Sequence, residues 1–187
     1  MNASPQRRLE FEGCQKPLAK SNGQILRLIQ DVKTRWDSTC HMLVRAHLLR
    51  DAISRFTENS VKARMLRLGP QEWKKVEYLI EITKPFNFFT TTLGRTDSST
   101  IHQVFCIYDF LIDHLRTTKQ RLSSKQHSWV VDLIPAIDAA ITKLEKYYEL
   151  MYDDIGSLYG ITTLLAPEHK SPALNDYFNG EWARHFE

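Results

Sequence analysis

Asp37-Ser-Thr-Cys-His-Met-Leu-Val-Arg-Ala-His-Leu-Leu-Arg-Asp-Ala-Ile-Ser-Arg-Phe56 is the stretch that decides the fold class. Met42, Leu43, Ala46, Leu49, Ile53 and Phe56 recur at helical spacing, with Arg45, Arg50 and Arg55 between them. Such a stripe buries one face of a helix and leaves the charged face to water. Asp37 or Ser38 stands where an N-cap is wanted, because a short side-chain oxygen there accepts from the free N–H groups of the first turn. Asn59-Ser60 interrupts the pattern, and another turn or two carries Val61, Met65 and Leu66 as far as Gly69-Pro70. Proline lacks only an N–H that a first helical turn leaves unpaired anyway, so Pro70 opens the next helix.

Downstream, that helix carries Trp73, Val76, Leu79, Ile80, Ile82 and Phe86 towards Leu93. Pro85 removes a donor from its interior and predicts a kink or a break near Ile82. Gly94 to Ser99 reads as a polar loop, with Ser98 or Ser99 capping a helix through Ile101, Val104, Phe105, Tyr108, Leu111, Ile112 and Leu115. A polar stretch, Thr117 to Gln126, leads to a longer pattern of Trp129, Leu133, Ile137, Ile141, Leu144 and Tyr148, with Pro135 as a kink. Shorter segments follow at Tyr159–Leu165 and Leu174–Phe186. Upstream, residues 1–22 contain Pro5, Gly13 and Pro17 in a polar setting and read as a loose, irregular lead-in to a helical domain over 23–187. The apolar burst Ile25, Leu26, Leu28 and Ile29 suits either a strand or one buried helical turn. With no internal repeat and little alternation of period two, the expected fold is all-α, an irregular bundle or array of about six helices.

Composition agrees with a globular chain: 187 residues, 42% hydrophobic, 25% charged, with only 7 Gly and 7 Pro. Three widely spaced cysteines, without a CxxC pair or a secretory segment, point to reduced thiols inside the cell. No apolar run approaches a membrane span. The net charge of +3 is modest, but eight Lys/Arg stand against four acids between Asp31 and Arg67. A local basic excess attracts phosphate; a solvated helix face would account for it equally well.

No nucleotide-binding glycine loop, nucleophile elbow or HExxH pattern occurs. Cys40-His41 has no second ligand pair for zinc, and His102 and His114 are too far apart to share an ion. Asp109 and Asp113 lie one helical turn apart and read as a solvated face, although such a pair can hold a cation. Asp153-Asp154, just before Gly156, read as caps near a turn. No catalytic residue, metal site or cofactor is expected. What remains is Asp31-Val-Lys-Thr-Arg-Trp-Asp-Ser-Thr39. Arg35 can grip phosphate bidentately and Trp36 offers a face for an unpaired base, with Lys33 and Arg45 adding positive charge. Residue chemistry alone favours a plainer use, in which Trp36 plugs a core and Arg35 covers it from outside.

Thr34-Arg35-Trp36-Asp37-Ser38-Thr39, followed by Met42-Leu43 and Arg45, resembles a signature segment of hAT-type DNA transposases. The likeness continues in that family's order through Leu49–Ile53, Trp73, Ile82-Thr83-Lys84-Pro85-Phe86, Tyr108–Leu115, Lys146-Tyr147-Tyr148 and Tyr159–Lys170. The resemblance implies a helical insertion within an RNase H-like catalytic domain that cuts DNA with three acids, two before the insertion and one after it. It places Arg35 and Trp36 near the active site and the DNA end. None of the three acids has a counterpart here, so the expectation is a truncated transposase domain that contacts DNA and does not cut it. Asp37 replaces the family's usual Asn, and its charge would weaken the hold of Arg35 on phosphate. Expected partners are DNA, a second copy or a full-length transposase, and the expected location is nuclear or cytoplasmic, the resemblance favouring the nucleus. The alternatives are a helical protein-interaction module, drawing on aromatics such as Phe86, Phe88, Phe89 and Trp129, or an inactive remnant of a transposable element.

Overall fold

The computed structural model describes residues 4–18, 24–32, 34, 36–94 and 100–165, without the side chains of 18, 36 and 152–165. Six α-helices carry this backbone: α1 (Pro5–Gln15), α2 (Trp36–Leu48), α3 (Arg50–Asn59), α4 (Pro70–Leu93), α5 (Val104–Ser123) and α6 (Val130–Leu165). The described residues include no strand, so the all-α expectation and the helix number both hold. Packing divides the chain into two compact units, Met1–Lys84 and Pro85–Glu187.

In the first unit the lead-in expected to be irregular contains a helix instead. Ser4 caps α1, its Oγ accepting from the Arg7 N–H at 3.4 Å, and Pro5 fills the first position. Both are helix-start signals that outweigh the polar composition. α1 packs on α3, with Phe11 and Phe56 edge to face at 5.8 Å between ring centroids. The single helix expected through Phe56 is two helices bent at Leu49 (φ −98°, ψ 15°). The bend keeps its hydrogen bonds, Leu49 N to Arg45 O at 3.1 Å and Ile53 N to Leu49 O at 2.9 Å. Val61 and Met65, read as part of a further apolar turn, lie in a turn and a short 3-10 segment, where Met65 is 95% exposed. The Gly69 N–H donates to Glu72 at 2.8 Å, closing the start of α4. Glu77 of α4 accepts from Lys74 at 2.8 Å and meets His47 of α2 at 3.3 Å.

The second unit is built on a stripe of α5, namely Ile107, Leu111, Leu115, Thr118 and Leu122, all buried. Leu133, Ile137 and Ile141 of α6 are buried likewise, and Phe88 and Phe89 of α4 cluster with Ile107 and Leu111. Arg116 reaches Glu145 at 2.7 Å and Lys119 reaches Asp138 at 2.6 Å, linking the exposed flanks of α5 and α6. α5 runs on to Ser123 through residues expected to form a polar connection, because Thr118 and Leu122 continue its buried face. α6 is 36 residues long, so it includes Tyr159–Leu165 and places Asp153-Asp154 inside a helix rather than at a turn. Ser98, Ser99 and Leu174–Phe186 lie outside the described residues.

Pro85 does not break α4, which is helical from Pro70 to Leu93. Its ring is fully buried beside Phe88 and Phe89 in sequence, and apolar burial of that kind offsets a lost backbone hydrogen bond. Pro135 likewise sits within the unbroken α6. No described helix is long and apolar enough to cross a membrane.

Candidate nucleic-acid interface

The Asp31–Thr39 motif is closed by hydroxyl groups. Ser38 Oγ accepts from the Val32 N–H at 2.9 Å and lies 2.5 Å from Asp31 Oδ1, to which it donates. Thr39 Oγ1 donates to the same carboxylate oxygen at 3.0 Å. α2 begins at Trp36, so neither Asp37 nor Ser38 is its N-cap: both lie in the first turn, and the Ser38 hydroxyl is spent on residues 31 and 32. Asp37 there places a negative charge at the positive end of the helix dipole. The clasp joins positions 31–32 to 38–39 and so brackets Lys33, Thr34 and Arg35 in the sequence.

Lys33 and Arg35 lie outside the described residues, as does the side chain of Trp36, whose backbone opens α2. Arg45 is described. Its Nη1 donates to the Arg27 carbonyl at 2.8 Å, so one of its donors holds the chain that leads into the motif. Residues 24–32 are extended, neither the strand nor the helical turn considered from sequence. Among the described residues, only side chains pin them. The buried Gln15 uses both ends of its amide on Leu26, Nε2 donating to the carbonyl and Oε1 accepting from the N–H, each at 2.9 Å. Arg45 holds Arg27 and Ser38 holds Val32. Gln15 was not visible as a structural residue in the sequence, where it sits at the end of a polar stretch with nothing to mark its reach of eleven residues.

The Ser38 hydroxyl, then that of Thr39, holds the Asp31 carboxyl below its ordinary range, with a smaller contribution from the Val32 N–H. The clasp's contribution is therefore complete above the unfolded carboxyl value of about 4. It disappears as pH falls through the lower folded value. The first unit should resist urea better at pH 6 than at pH 3. Asp31→Asn should narrow that difference and lie closer to the wild type at pH 3 than at pH 6, as read from unfolding midpoints by circular dichroism. An unchanged pH dependence in the variant would remove Asp31 from the account.

The other polar groups singled out in the sequence do not converge. Cys40 is 3% exposed, with its thiol pushed up by burial, while the adjacent His41 lies on the surface. Asp109 and Asp113 are both exposed on α5. The described residues contain no group of three or more His, Cys, Asp or Glu able to hold a metal ion.

Charge separates sharply between the units. Residues 1–84 contain sixteen Lys/Arg and nine Asp/Glu, a net +7, and residues 85–187 contain nine against thirteen, a net −4. In the first unit Arg7, Arg8, Arg27, Lys62 and Arg64 are exposed and form no ion pair with another described residue.

Residues 1–82, nearly the whole first unit, match the family described as the ZBED1 RNase-like helical domain. Over 182 residues, 97% of this chain, the sequence is 37% identical to the protein named "Putative transcriptional regulator tpeD" in Talaromyces stipitatus. The chain spans 18% of that relative's length. No solved structure matches. The likeness to the helical domain thus falls on the unit that carries both the basic surplus and the clasped motif.

Proposed function

We propose that this chain is a DNA-contacting helical domain of hAT-type transposase descent, with no strand-cutting centre of its own. The concentration of positive charge in the unit that bears the motif is the observation that carries this reading. Phosphate binding draws on such a surplus through direct contacts and counterion release. In this reading Lys33, Arg35 and Arg45 meet the DNA backbone and Trp36 stacks on an unpaired base, while the Asp31–Ser38–Thr39 clasp sets the two ends of the contacting loop. Two-metal strand cleavage needs clustered carboxylates, and the reading assigns none to this chain. A nuclear location follows, with a second copy or a longer transposase as further partners. The named role of the relative supports a variant of the same reading, in which DNA is bound for regulation rather than for transposition.

The test is a titration of the purified chain with hairpin and duplex DNA over a salt series. Hairpin should bind more tightly than duplex, and affinity should fall by at least about tenfold between roughly 50 and 200 mM salt. Arg35→Ala and Trp36→Ala should each weaken hairpin binding by about five- to fiftyfold, in line with one lost charge contact or one lost stacking platform. Weak binding indifferent to both substitutions would sink the proposal and favour a protein-interaction module.

A further inference from the structure

The first unit contains an open groove of about 680 Å³ that the DNA reading does not use. Phe11 of α1 and Ile53 and Phe56 of α3 line it, together with Leu26 and Leu28 from the extended segment and Leu66 from the 3-10 turn. Leu66 is 73% exposed and Leu28 is 50% exposed, so the apolar lining continues out to solvent. Arg7, Arg8 and Arg27 contribute the charge, against one acid, Glu12, among the described lining residues.

The backbone along this groove is the second observation. Leu26, Arg27 and Val32 are each held by a side chain from a helix. Leu28, Ile29 and Gln30, which also line the groove, make no hydrogen bond with any other described residue. An extended chain braced at both ends, with unpaired N–H and C=O groups between, is a template for one more strand.

We propose that this groove binds an extended acidic segment of a partner protein. The segment pairs its backbone with Leu28–Gln30, seats alternate apolar side chains against Phe11, Phe56 and Leu66, and sets its carboxylates towards Arg7, Arg8 and Arg27. Extended peptide suits the surface better than the other occupants do. A helix has no free backbone edge to offer, and duplex DNA has no apolar side chains for the groove. A second copy of the first unit would bring the same surplus of +7 against these arginines. The inference stands apart from DNA binding at the Asp31–Thr39 motif and can fail or succeed without it.

The experiment uses the whole chain and a dye-labelled, end-capped peptide of about seven residues alternating Val and Glu, a usual strand length, followed by fluorescence anisotropy. Binding in the micromolar range is expected, weakened at least about tenfold when Lys replaces Glu or when alternate peptide amides are N-methylated. Arg7→Glu combined with Arg8→Glu should give a similar loss. Leu66→Asp, at an exposed turn position, supplies a second variant should the changes in α1 disturb folding. No binding, equal binding of the lysine peptide, or indifference to N-methylation would overturn the proposal. So would displacement of the peptide by duplex DNA, or a mass that rises with concentration as the peptide is expelled.

Discussion

Leu115→Ala is expected to destabilise the second unit by about 3–5 kcal/mol, the upper part of the range for emptying a well-packed leucine site. Leu115 is 0% exposed. It sits midway along the α5 stripe, between Leu111 and Thr118, on the helix that packs most extensively with α6. Both helices are long and heavily cross-packed, so neighbouring side chains have little freedom to collapse into the gap, and most of the cavity persists. For a unit of this size the loss corresponds to a fall in melting temperature of about 15 °C or more. Calorimetry or thermal circular dichroism would read it. Leu150→Ala, at a half-exposed position on α6, is the matched control and should cost less than about 1 kcal/mol. A loss below about 1.5 kcal/mol at Leu115 would mean that α5 and α6 do not share the core described.

Gln15→Ala is expected to release the extended segment while leaving the second unit intact. The substitution removes both amide bonds to Leu26 and strands a partly buried N–H and C=O, at a cost of about 1–3 kcal/mol. The effect should be local. Hydrogen exchange at the Leu26 amide should speed up by about tenfold to a hundredfold, while the amides of α5 keep their protection. Gln15→Glu separates the two bonds. Its carboxylate still accepts from the Leu26 N–H but offers no donor to the carbonyl, so intermediate protection is expected. If exchange at Leu26 is unmoved by the alanine change, Gln15 is not what holds the segment. Because the peptide groove and the approach to the Asp31–Thr39 clasp share this segment, the same variant should weaken binding at the groove.

The helices with a sustained apolar stripe were legible from sequence. Leu111 and Leu115 on α5, and Leu133, Ile137 and Ile141 on α6, are periodic enough that no other element could bury them together. α1 was not legible, because Leu9 and Phe11 are too few to form a stripe; its real signal was the Ser4-Pro5 start, which is local and easily lost in a polar region. The prolines misled for the opposite reason. A proline rule weighs one missing hydrogen bond, whereas Pro85 is placed by the burial of its whole ring, a tertiary quantity. At the candidate site, the family resemblance singled out the Lys33–Trp36 segment, of which Lys33, Arg35 and the Trp36 side chain lie outside the described residues. What its Ser38 and Thr39 do, and how Gln15 and Arg45 brace the chain before it, depends on pairings across six to eighteen residues that no helical or strand period describes. The open backbone at Leu28–Gln30 was equally hidden, since a short apolar burst reads the same whether it is paired, coiled or bare.

That α1 packs on α3, and not on the helix next to it in the chain, bears on how the protein is made. At translation speeds of about 5–20 residues per second, roughly two to seven seconds separate the synthesis of Gln15 from that of Arg50. During that time Phe11 has no Phe56 to meet, and for much of it the 24–32 segment has neither Ser38 nor Arg45 to fasten it. α5 and α6, joined by a short connection, can close on each other almost as soon as both exist. α1 therefore waits longer than α5 for its tertiary partner, and stays open to chaperones and proteases in the meantime.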